Sequence, residues 1–314
     1  MNLFFSFLIL INIFNDVYTS LGDSFPAYQT CIEKCKTNQC LNDGYNFKNQ
    51  GSFIFIDIFK WPCTENCRYH CMWFIVDMFE RKNWPQPQFH GKWPFARFMG
   101  LQEPASVIFS LMNLAGHVIM FRKFRKVVRP NSPMYKVWFV FFAVCCNCWI
   151  WSAVFHSRDR PISEVMDYLS AFGMVFYSLY GTIMRMLVHS PIIIAVLFSL
   201  ICISIYVNHA LYLALEQFDY HYNMNANIFV GVLSSAFSIL WCVWNWRLSQ
   251  SRHLFAVVII GALTTILEVS DFPPVAKILD AHALWHLSTV PIPYFFWKFA
   301  MEDCQYLHAV SKTR

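Results

Sequence analysis

The sequence predicts an all-α membrane protein, with seven transmembrane helices behind an N-terminal, disulfide-rich luminal domain. Three observations carry this prediction. Hydrophobic residues make up 57% of the 314 residues and charged residues only 14%, where a soluble globular chain carries about 25% charge. The apolar residues gather into runs near or above the ~18 needed to span a bilayer. Six of the twelve cysteines lie ahead of the first long run. The formal charge of +5 then reads as membrane orientation. No basic stripe with interleaved aromatics occurs, so no nucleic-acid partner is expected.

Taken in order, residues 1–20 read as a signal peptide. Leu3–Ile13 is almost wholly apolar, too short for a comfortable span, and a small or polar stretch follows at Tyr18–Gly22. No Lys or Arg precedes the apolar core, so a retained anchor helix is the alternative. Residues 21–100 read as a cysteine-rich luminal domain with Cys31, Cys35, Cys40, Cys63, Cys67 and Cys71. An even number of cysteines in a short segment behind a signal predicts three disulfides in an oxidising compartment, with the pairing left open. A zinc cluster is the alternative, because Cys63, Cys67 and Cys71 recur every fourth residue. The remaining six, among them Cys145, Cys146 and Cys148, sit in or beside apolar helices and read as reduced packing residues.

Residues 101–314 hold the seven expected spans, near 104–120, 134–156, 166–186, 191–213, 228–246, 253–270 and 280–299. The sixth is the weakest, since it ends in Glu268 and Asp271. The loop region after the first span holds Arg122, Lys123, Arg125, Lys126, Arg129 and Lys136 and no acid, so it is assigned to the cytosol. The loop near 214–227 carries Glu216 and Asp219 without Lys or Arg and is luminal. That near 247–252 carries Arg247 and Arg252 and is cytosolic. An odd number of spans puts the C-terminus in the cytosol.

Ionisable residues inside spans are costly and mark function. Ser152 and His156 stand four apart at the luminal end of the second span and share one helical face. Asp167 lies at the luminal start of the third. His282 and His286 stand four apart at the luminal start of the seventh, a spacing at which two imidazoles chelate one ion. Five residues from three separate segments thus fall at one membrane depth. Zinc fits His156, His282 and His286 with an open fourth position, and it acidifies water and polarises a carbonyl. Asp167 is the candidate base and Ser152 the candidate hydroxyl for holding the water or bonding the carboxylate. Each has a plainer reading: Ser152 as a packing hydroxyl bonded to its own backbone, Asp167 as a charge at a helix N-terminus. His117, His189, His209 and His253 have no partner at four-residue spacing and read as packing or interfacial residues.

Ser152-x3-His156, Asp167 and His282-x3-His286 together resemble the pattern of a membrane hydrolase superfamily. It contains alkaline ceramidases, adiponectin and progestin-type receptors, and GPI-anchor remodelling factors. Gly22-Asp23-Ser24 leading to Tyr28, Cys31 and Cys35 is similar to the mature start of the GPI-anchor lipid remodelling family. So is Asp271-Phe272-Pro273-Pro274 followed by Asp280 to His286. This resemblance, over most of residues 22–307, implies an enzyme of the phospholipase A2 type. Its substrates would be GPI-anchored proteins, from whose phosphatidylinositol it removes the unsaturated sn-2 acyl chain. It implies residence in the Golgi, or in the endoplasmic reticulum as for fungal members. A non-catalytic receptor or remodelling cofactor with structural zinc, and a ceramidase, are the alternatives; ceramidases lack a cysteine-rich luminal domain.

Overall fold

The computed structural model describes residues 21–48, 61–215 and 219–313. The segment read as a signal peptide therefore lies outside the described residues. These are helical apart from turns, irregular connections and isolated bridges. After a single turn at Leu21–Ser24 come α1 (Pro26–Gln39), α2 (Cys63–Arg81), α3 (Pro104–Val127), α4 (Tyr135–Ser157) and α5 (Pro161–Met186). They are followed by α6 (Ile192–Leu215), α7 (Tyr220–Trp244), α8 (Ser251–Val269), α9 (Ala281–Thr289) and α10 (Ile292–Thr313). The chain divides into two compact units, one of residues up to Pro104 with Phe272–Ala281, the other of Ala105–Asp271 with His282 onward.

In the N-terminal unit, α1 and α2 each present cysteines about one turn apart on a single face. Cys31 bonds Cys71, Cys35 bonds Cys67 and Cys40 bonds Cys63, a nested order that requires the two helices to run antiparallel. The alternative zinc cluster is thereby excluded: Cys63, Cys67 and Cys71 each spend their sulfur on a different partner. Beside the staples Tyr28, Ile32, Ile75, Val76, Phe79 and Phe89 form a small core. The Phe272–Ala281 segment is bound to this unit through Ala96 N–H donating to the Lys277 carbonyl at 2.8 Å and through the Lys277 ammonium over the Trp73 ring.

In the helical unit, α3, α4, α6, α7 and α8 are long and apolar enough to cross a membrane. The sixth expected span is among them, since Glu268 falls only in its last turn. The third and seventh expected spans are helices of a different kind. α5 is long but carries Glu164, Asp167 and Arg185 along with its Ser, Tyr and Gly residues. The seventh is broken between Thr289 and Ile292. Pro291 and Pro293 remove two N–H donors there and clash with the preceding turn. The short α9 is the outcome, ahead of an α10 that carries Lys298, Glu302 and Asp303. α3 also runs further than expected. Arg122, Lys123, Arg125 and Lys126 lie on its final turns and not in a loop, where cations complement the negative end of the helix dipole.

The core of this unit is aromatic. Phe121, Phe124, Trp138, Phe141, Phe296 and Trp297 are all buried in one cluster, with Phe121 stacked on Phe142 at 3.9 Å between centroids. Gly181 lets α5 come close to this core, because a Cβ there would sit 2.6 Å from the Trp138 ring. The six free cysteines, four on α4 and α6 and two on α7 and α10, are all in this unit.

Candidate metal centre

α4 carries Ser152 and His156 one turn apart on its buried face, both 3% exposed. α9 carries His282 and His286 at the same spacing. The two pairs meet. The Nε2 atoms of His286 and His282 are 3.0 Å apart, those of His286 and His156 3.2 Å, and those of His282 and His156 3.3 Å. Three nitrogens bound at 2.0–2.1 Å in a tetrahedral zinc site stand roughly 3.3 Å from one another. The spacing and the all-imidazole donor set therefore fit a zinc-sized ion.

Each ring is held by its surroundings. Trp285 stacks on His282 and presents its edge to His286, and Trp149 meets His286 edge-on at 5.6 Å. The backbone carbonyl of His286 accepts from the Asn113 side-chain amide at 2.8 Å, anchoring α9 to α3. The Nδ1 atom of buried His286 has no hydrogen-bond partner. That of His282 faces the Glu268 carboxylate, an oxygen of which lies 2.8 Å away.

Ser152 does not bond its own backbone. Its hydroxyl is 3.0 Å from that of Ser110 on α3, and Ser110 lies 2.7 Å from the carbonyl of Ser106. With the Ser110 proton given to that carbonyl, Ser152 donates to Ser110, and only its lone pairs remain for a third group. Asp167 lies in the second turn of α5, within electrostatic range of Cys148 and Tyr168. Thus the three histidines are brought into contact and Ser152 lies one turn from His156, while Asp167 stands on α5 beside Cys148 and Tyr168.

The other histidines are engaged elsewhere. Trp297 Nε1 donates to His117 at 3.1 Å; His209 contacts Tyr222 and Asn223; His253 pairs with Glu302; His189 is exposed. Glu268, Ser110 and Asn113 were missed by the sequence reading. For Glu268 the signal was present, since it is an acid at the end of an apolar helix. Nothing in sequence spacing pairs Ser110 with Ser152 or Asn113 with His286, because α3 reaches the site only through the fold.

Apolar helices of spanning length around a three-histidine cluster define a class, that of multi-helix membrane proteins with a histidine site whose geometry could hold an ion. Within that class the chain belongs to the Per1-like family, whose model matches residues 54–304. It is 40% identical to post-GPI attachment to proteins factor 3 of Drosophila melanogaster over 285 residues, covering 89% of this chain and 87% of that protein. It is 38% identical to the GPI-specific phospholipase A2-like PGAP3 of Mus musculus over 289 residues, 92% of this chain and 90% of that one. With the human protein of the same name it shares 37% identity over 297 residues, 94% and 92% of the two chains. The resemblance to GPI-anchor remodelling factors is borne out by these relatives.

Proposed function

We propose that this protein remodels GPI anchors as an acyl-ester hydrolase, releasing the unsaturated sn-2 chain from the anchor's phosphatidylinositol. The observation that carries the reading is the convergence of the His156, His282 and His286 Nε2 atoms within 3.0–3.3 Å. It occurs in a chain similar over most of its length to proteins named GPI-specific phospholipase A2-like.

In this reading the three imidazoles hold a zinc ion. When bound, zinc supplies Lewis acidity for an ester carbonyl and lowers the pKa of water to about 7. Asp167 takes the proton from the attacking water, whose oxygen adds to the acyl carbon. The bond from that carbon to the glycerol oxygen breaks, and Asp167 returns the proton to the departing oxygen. The products are a free fatty acid and a lyso-anchor. Ser152, left with lone pairs by its bond to Ser110, accepts an O–H of the water and so aims it. That role replaces the bond to the carboxylate, which would need the Ser152 proton.

We read α5 and the α9–α10 pair as two further membrane passages, seven in all. The disulfide-bonded unit then faces the lumen of the Golgi, or of the endoplasmic reticulum, and the C-terminus the cytosol. Three disulfides agree with an oxidising lumen, and the cations at the end of α3 agree with a cytosolic end. GPI anchors occupy the luminal leaflet, on the side where this topology puts the histidines.

The test is expression of the parent chain and of His282→Ala in cells lacking this activity, with mass spectrometry of the lipid on surface GPI-anchored proteins. The parent chain removes unsaturated sn-2 chains and the variant leaves them in place. Equal removal by the variant overturns the reading. Purified protein without stoichiometric metal overturns the zinc part of it.

A further inference from the structure

We propose that Glu268 is a positioning residue that fixes the tautomer of His282, so that its Nε2 lone pair faces the other two histidines. The inference rests on the proposed three-histidine metal centre and goes beyond it. Glu268 is an odd residue where it stands. From Leu254 to Leu267, α8 is without a charge. A carboxylate at the end of such a helix is expensive in a membrane. It also lies at the C-terminal end, where the helix dipole disfavours negative charge. The compensation is a bond of 2.8 Å between a Glu268 carboxylate oxygen and His282 Nδ1.

With the carboxylate oxygen as acceptor, the Nδ1 atom is the donor. A neutral imidazole has one N–H, and with that on Nδ1 its Nε2 offers a lone pair. That atom is the one lying 3.0 Å from His286 Nε2 and 3.3 Å from His156 Nε2. Of the three rings His282 needs such a device most, since its side chain is 37% exposed while His156 and His286 are buried. His286 is fixed by burial and by the edges of Trp149 and Trp285, with its Nδ1 unpartnered. A carboxylate behind a ligating imidazole orients the ring and raises its basicity, and loss of such a partner costs 10–100-fold in metal affinity.

The experiment compares the full-length parent, Glu268→Ala and Glu268→Gln in detergent micelles. Zinc affinity is read by competition with a chelator, and the tautomer of His282 by nitrogen NMR of histidine-labelled, metal-free protein, with His282→Ala identifying its signals. The parent shows His282 protonated on Nδ1. Glu268→Ala loses that preference and binds zinc about 10–100-fold more weakly. Glu268→Gln, whose amide oxygen still accepts, keeps the tautomer and recovers most of the affinity. A parent His282 protonated on Nε2, or unchanged tautomer and affinity in Glu268→Ala, overturns the proposal. A parent with the Nδ1 tautomer that binds no zinc overturns the metal centre and leaves the tautomer assignment standing.

Discussion

In the N-terminal unit every cysteine is paired, and three cross-links carry two helices with a small core. In the helical unit all six cysteines are free, and aromatic packing takes over. Two of the polar clusters in the helical unit differ from each other. Arg185 and Asp303 form a closed pair, with Arg185 donating from Nε and Nη2 and Gln250 adding a third, longer bond. The cation and the anion are paired by two hydrogen bonds, so neither charge is left buried alone. The histidine cluster is open, because three ring nitrogens point at each other and neutral imidazoles cannot satisfy three such contacts with N–H donors alone. A closed buried pair needs no ligand to be satisfied, whereas three converging ring nitrogens have the donor geometry that the proposed ion would use.

The largest effect should come from the open cluster. His156→Ala is expected to cut hydrolysis by at least about a thousandfold, roughly 4 kcal/mol of transition-state stabilisation at 1.36 kcal/mol per tenfold. The thermal unfolding of the N-terminal unit stays unchanged. Hydrolysis of GPI lipid by purified protein, read beside circular dichroism, checks both, and near-parental hydrolysis would remove the distinction between the clusters. The closed cluster should respond in the opposite way. Asp303→Ala leaves Arg185 buried beside Trp241 without its anion and should cost the helical unit about 3–5 kcal/mol. The metal affinity of whatever folded protein remains should be that of the parent, as measured by chelator competition. Asp303→Asn, which keeps the shape, restores part of the stability.

The next effect concerns the staples. Cys35→Ser with Cys67→Ser opens a loop with a sequence separation of 32 and should cost the N-terminal unit about 2–4 kcal/mol. Cys202→Ala on α6 has no cross-link to lose. Denaturation with and without reductant separates the two: reductant shifts only the N-terminal transition. A single transition that moves as a whole would show that the two units unfold together.

This contrast also separates what was legible in the sequence from what was not. That Cys31 to Cys71 would pair, and that Cys145 and its neighbours would not, followed from their surroundings. The pairing did not, because it depends on α1 and α2 lying antiparallel. His156, His282 and His286 were legible because spacing of four on a helix is a local signal. The break at Pro291 and Pro293 could have been read as well, since two prolines so close do not continue a helix; hydropathy alone hid it. The C-terminal end of α5 was legible, but the helix starts at Pro161, five residues before the expected span, and its Ser, Tyr and Gly residues serve packing contacts such as Gly181 against Trp138. Glu268 counted against a span until the fold brought it to His282, a partner 14 residues away across the Phe272–Ala281 segment.

The smallest predicted effect lies in the stapled unit and concerns pH. Tyr28 is 1% exposed, packs on Phe89 at 5.0 Å between rings, and has its hydroxyl 3.3 Å from His90 Nε2. Burial, and next the charge of Asp23, push its phenol up to about 12 from an ordinary 10. The protonated phenol is thus favoured more in the folded unit than in the unfolded chain. Its contribution is complete below pH ~10, where both states hold the proton. It falls once the unfolded chain releases its proton, and is lost as pH rises through about 12. Tyr28→Phe should therefore flatten the alkaline loss of stability between those values while costing little at neutral pH, where only one hydroxyl contact is removed. Denaturant unfolding of the two proteins at neutral pH and at pH ~11 provides the check. Parallel losses would assign the alkaline transition to another group and leave Tyr28 as a packing residue of the α1–α2 core.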